Sequence, residues 1–125
     1  MASRISLPVK SPRMESGLVQ IGAVRAFSPL PAGHDTARKL GEEVMEAFSA
    51  WEDFEAAEWE LDGREVDDES WEAFDLREAA RGHLANELAD VVQCVANLTA
   101  RIGVTDMRPL MAACEVRNRA RGRIL

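Results

Sequence analysis

Two observations in the 125-residue chain predict an all-α fold, a helical bundle. Leu40, Val44, Phe48 and Trp51 recur at about the helical period, as do Leu84, Leu88, Val91, Val95 and Leu98. Four of the five prolines, Pro8, Pro12, Pro29 and Pro31, fall before residue 34, so both apolar patterns run without a break of that kind.

The elements follow in chain order. Residues 1–33 form an irregular N-terminal segment, within which Leu18-Val19-Gln20-Ile21 fits either a short strand or a helical turn. From Asp35 or Thr36, either of which can cap a helix, a first long helix is expected to about Glu58. Asp62-Gly63 is a turn signal. A shorter, strongly acidic helix should begin near Asp68, and Gly82 should end or bend it. The second long helix then carries Leu84 to Leu98, and Gly103 is placed to stop it. Thr105 or Asp106 can cap a last helix through Met107, Leu110, Met111 and Val116, with Pro109 tolerated in its opening turn. Residues 34–125 thus read as one helical domain, carrying an acidic stretch near 52–82.

One chain of this size buries a limited core. The broad apolar faces of the two long helices would be better covered by a second copy, so a homodimer or homotetramer is expected. The three tryptophans and five methionines read as packing residues in that assembly.

Charge narrows the function. The net charge is -7, which argues against a nucleic-acid polymer as partner, because such a protein needs a positive footprint. The distribution is uneven: residues 42–78 hold sixteen acids against Arg64 and Arg77, whereas both flanks are mildly basic. No apolar run reaches the roughly 18 residues of a membrane span, and the N-terminus lacks an apolar signal-type core. Cys94 and Cys114 have no ligand-like spacing, so a reducing cytoplasm is the expected setting. Cys94 lies in an apolar helical pattern and reads as a buried structural thiol.

Two acidic pairs carry the chemistry. Glu43 and Glu46 are three residues apart on the first long helix, and Glu87 and Asp90 are three apart on the second, so each pair shares a side of its helix. If the two helices pack together, four carboxylates meet and repel unless a cation joins them. Magnesium suits an all-oxygen set and often bridges to phosphates. Such spacing also occurs among ordinary solvated acids, and both readings stand at this point. Asp and Glu are nevertheless rarely set among residues like Leu84, Leu88, Val91 and Val95 without a partner. Glu42 adjoins the first pair and can take a proton from water, and Lys39 can balance charge or meet phosphate. In the basic tail, Arg117 and Arg121 share a helix face with Asn118 beside them, fit to grip phosphate oxygens or simply to remain solvated. The acids from Glu52 to Glu78 read mainly as a solvated face.

Taken together, KLGEEVMEAF followed by NELADVVQCVANL resembles the MazG-like all-alpha nucleoside triphosphate pyrophosphohydrolases, whose signature is a Glu-Glu-x-x-Glu helix followed by a Glu-x-x-Asp helix. The terminal RARG is also similar to phosphoribosyl-ATP pyrophosphohydrolase of the same superfamily. The resemblance spans roughly Thr36 to Gly122, with its strength in the two short blocks. It implies an oligomeric helical enzyme that hydrolyses a nucleoside triphosphate to a nucleoside monophosphate and pyrophosphate. By the same resemblance Glu43, Glu46, Glu87 and Asp90 bind Mg2+, with Mn2+ as a substitute. Glu42 or Glu46 assists catalysis, and Lys39, Arg117, Asn118 and Arg121 approach the phosphates. The blocks lie forty residues apart, a longer interval than close relatives use, and the acidic stretch supplies the added length. Two alternatives remain: phosphoribosyl-ATP hydrolysis, and a non-enzymatic acidic helical oligomerisation protein.

Overall fold

The two apolar patterns and the basic tail become three α-helices in the computed structural model, which describes residues 17–62 and 70–124. These are α1 (Gly33–Asp62), α2 (Ser70–Arg101) and α3 (Arg108–Ala120). No strand occurs among the described residues, and the all-α expectation holds.

Helix α1 begins directly after the Pro31-Ala32 step and extends four residues beyond the expected end at Glu58. Thr36 lies inside its first turn. Its backbone N–H donates to Ala32 O at 2.9 Å and its hydroxyl to the same carbonyl at 3.0 Å. Asp35 pairs with Arg38 one turn on, at 2.7 Å.

The expected break at Gly82 does not occur. Helix α2 is continuous through it, so the shorter acidic helix and the second long helix are one element. An internal glycine costs only about 1 kcal/mol relative to alanine, too little to interrupt a helix braced along its length by α1. The Gly82 carbonyl also accepts the Asn86 side-chain amide at 2.9 Å. The expected start near Asp68 lies outside the described residues.

Gly103 stops α2 as expected. At φ +82° it adopts the left-handed conformation that lets Val104 N–H reach Thr99 O and Gly103 N–H reach Ala100 O. Gly122 ends α3 through the same pair of bonds, to Asn118 O and Arg119 O. Pro109 stands in the opening turn of α3, and Asp106 accepts the Arg108 backbone N–H at 2.9 Å.

Residues 18–21 form neither strand nor helix. The chain after them is tied to α2 by two amide side chains one turn apart. Gln93 donates to Arg25 O at 2.9 Å, and Asn97 Oδ1 accepts the Phe27 backbone N–H at 3.0 Å.

Helices α1 and α2 pack together, whereas α3 packs against neither. The buried apolar residues are small: Ala47, Ala50, Ala73 and Cys94. No large side chain is fully buried among the described residues, and Trp59 and Trp71 are 73% and 69% exposed. No described helix is long and apolar enough to cross a membrane.

Candidate metal centre

The spacing of three residues on α1 sets Glu43 and Glu46 one above the other, and the packing of α2 brings Glu87 to them. One carboxylate oxygen from each lies within 4.8 Å of the other two. These three acids therefore form a single oxygen cluster at the helix–helix seam.

The cluster is asymmetric in its partners. Glu43 is 7% exposed, and its Oε1 pairs with Lys39 Nζ at 3.0 Å. Its Oε2 is buried and has no hydrogen-bond partner, and the same holds for Glu87 Oε2. Glu87 Oε1 stands 3.8 Å from His83 Nε2, one turn back on α2. Glu46 is exposed, and the charge of Glu43 beside it, with a hydrogen bond to the same carboxylate, raises its carboxyl above the ordinary range. The same Glu43 raises Lys39, by a hydrogen bond first and by charge second.

Buried carboxylate oxygens without partners are costly, by several kcal/mol per ion even after relaxation. They fit a cation. The donors are all hard oxygen atoms, which favours a hard cation over a softer metal. Glu43, Glu46 and Glu87 are the residues that would hold it.

No protein-family model matches this chain, and no curated protein or solved structure is significantly similar to it. The geometry of the site therefore carries the functional reading.

The remaining candidates are placed less centrally. Asp90 lies one turn beyond Glu87 on α2, is exposed, and stands outside the three-oxygen set. Its charge is felt by the buried Cys94 thiol, which burial first, and then Glu43, push upward. Glu42 is exposed and 3.8 Å from Lys39 Nζ. Arg117 and Asn118 belong to α3 and Arg121 caps its C-terminal end, and α3 packs against neither α1 nor α2. Asn118 is engaged locally, donating to Cys114 Sγ at 3.4 Å and accepting from Arg123 at 3.3 Å.

Residues outside the acidic blocks also converge here. Phe27, Thr36 and Asn97 line a cleft that shares Lys39 and Glu42 with the approach to the cluster. The one signal for them in the sequence is the pair Gln93 and Asn97, polar amides four residues apart within the otherwise apolar stretch 91–98.

Proposed function

We propose that the chain is a magnesium-dependent hydrolase that splits a nucleoside triphosphate into a nucleoside monophosphate and pyrophosphate, with manganese able to replace magnesium. The observation that carries this reading is the seam cluster of Glu43, Glu46 and Glu87, two of whose oxygens are buried without partners. The ordered Glu-Glu-x-x-Glu and Glu-x-x-Asp blocks support it, as in the MazG-like pyrophosphohydrolases that they resemble.

When bound, the cation supplies charge neutralisation for the polyphosphate and acidifies the attacking water. Glu43, Glu46 and Glu87 would hold it across the seam, and Asp90, exposed one turn on along α2 and outside the three-oxygen cluster, is the fourth acid of the resembled signature and would join them as a further ligand. Glu42, solvent-facing and 3.8 Å from Lys39 Nζ, or Glu46 would take up the water proton. Lys39 holds Glu43 in place and offers its ammonium to an incoming phosphate.

The same reading assigns the enzyme to the cytoplasm and to a homodimer or homotetramer. Burial of a large apolar side chain stabilises by roughly 1.5–3 kcal/mol, and a single chain fully buries none among its described residues. Val44 and Phe48 on α1, with Leu88 and Val95 on α2, are exposed at helical spacing and suit a second copy. A partner copy would also give α3 a surface to pack on, and with it a route for Arg117, Asn118 and Arg121 to phosphate.

The test is a panel of nucleoside triphosphates and phosphoribosyl-ATP with titrated magnesium or manganese, with pyrophosphate and monophosphate resolved. Stoichiometric release of both is expected. No metal-dependent release across the panel overturns the assignment and favours an oligomerisation protein.

A further inference from the structure

The segment before α1, residues 17–32, is neither strand nor helix, and none of its residues is buried. Leu18 and Val19 are 88% and 85% exposed, and Ile21, Val24 and Phe27 are exposed as well. Apolar burial therefore contributes little to holding this segment in place.

Two amide side chains hold it instead. Gln93 Nε2 carries two hydrogens and uses both, donating to Arg25 O at 2.9 Å and to Asn97 Oδ1 at 3.0 Å. Asn97 Oδ1 also accepts the Phe27 backbone N–H at 3.0 Å. The result is one relay, running from a backbone carbonyl of the segment through both amides to a backbone N–H two residues on. Among the described residues, 17–30 make no other hydrogen bond.

The downstream end is fixed separately. The buried Thr36 hydroxyl lies 3.3 Å from Pro31 O and 3.0 Å from Ala32 O, which anchors the segment where α1 begins. A chain anchored at one end and fastened by a single relay can lift while both helices stay intact.

What lies under it is sheltered. Phe27 and Pro31 line a cleft together with Cys94 and Asn97 of α2 and with Lys39 and Glu42 of α1. Cys94 and Asn97 are 7% and 4% exposed. When the segment lifts, water can replace its backbone groups as hydrogen-bond partners of the two amides, so no polar group is stranded.

We propose that residues 17–30 form a gate over this cleft, with Gln93 and Asn97 as its latch. The closed form has the relay complete. In the open form the segment swings about its anchor at Thr36, and solvent reaches Cys94 and the faces of Lys39 and Glu42. Opening moves no large buried side chain, so it is local and far more frequent than unfolding of α1 and α2. What the gate admits rests on the reading of the neighbouring carboxylates given above; that it opens does not.

The test uses the full chain without metal or nucleotide, and reads the Phe27 amide by NMR hydrogen exchange. Phe27 N–H should exchange roughly 100-fold faster than the amides in the middle of α2, and with little dependence on low urea. Gln93→Met keeps the length of the side chain and removes its donors. It should speed Phe27 exchange about tenfold and leave the α2 amides unchanged. In a Cys114→Ser background, alkylation of Cys94 by uncharged iodoacetamide should rise by the same factor. Phe27 exchange at the rate and urea dependence of α2 overturns the gate, because the segment then opens only with the whole fold. Unchanged exchange in Gln93→Met overturns the latch, and alkylation that does not follow Phe27 exchange overturns the shelter over Cys94. None of these readouts requires turnover. Their failure leaves metal-dependent pyrophosphate release standing, and absence of that release leaves the gate standing.

Discussion

Lys39 Nζ stands 3.0 Å from Glu43 Oε1, one turn along α1, and leaves Glu43 Oε2 buried with no partner. One lysine thus compensates half of one carboxylate in a cluster of three. The uncompensated half is what a divalent cation would engage.

Glu43→Gln and Glu87→Gln should each abolish binding of magnesium and manganese, read by calorimetry. Pyrophosphate release should fall by on the order of 100-fold or more, with helix content retained by circular dichroism. Asp90→Asn, at an exposed position outside the three-oxygen set, should weaken metal binding by only about tenfold. Unchanged metal affinity in both Gln variants would remove the seam as the metal centre.

The raised carboxyl of Glu46 has a consequence for stability in the absence of metal. A folded-state pKa above the unfolded value contributes stability that is complete below the unfolded pKa and lost as pH rises through the folded one. The metal-free protein should therefore gain thermal stability as pH falls from neutrality toward the ordinary Glu value of 4.5. Glu46→Gln should flatten that slope, and so should saturating magnesium. A slope of the same sign and size in the variant would show that Glu43 and Glu46 are not coupled.

Two glycines should respond oppositely to alanine. Gly82 is inside α2 with nothing within 4 Å of an added Cβ, so Gly82→Ala should stabilise by about 1 kcal/mol. Gly103 has equal space but φ +82°, so Gly103→Ala should destabilise by about 1–2 kcal/mol. Urea unfolding of both variants reads the contrast.

Analytical ultracentrifugation should give the mass of two or four chains at micromolar concentration. Phe48→Glu and Leu88→Glu, which place charge on the exposed apolar faces of α1 and α2, should yield single-chain mass and lower helix content. A wild-type chain that stays monomeric and still unfolds cooperatively would rule out the assembly.

Helical periodicity made most of the elements legible in advance. Leu40 to Trp51 and Leu84 to Leu98 announced α1 and α2, and Gly103 and Pro109 marked the end of α2 and the opening of α3. Gly82 misled, because local propensity registers a cost of about 1 kcal/mol but not the neighbouring helix that outweighs it. Spacing likewise paired Glu43 with Glu46 and Glu87 with Asp90, since residues three apart on a helix share a side by geometry alone.

The sequence by itself determined the helices, their acidic pairs and the kind of chemistry that oxygen donors allow. Which of those acids meet was decided by the packing of α2 on α1, which brings Glu87 to Glu43 and Glu46 and leaves Asp90 outside the set. Only the tertiary structure could tie Phe27 to Asn97, seventy residues away. Periodicity is a property of neighbours along the chain. The meeting of distant side chains depends on the register and rotation with which two helices pack, and no local pattern encodes these.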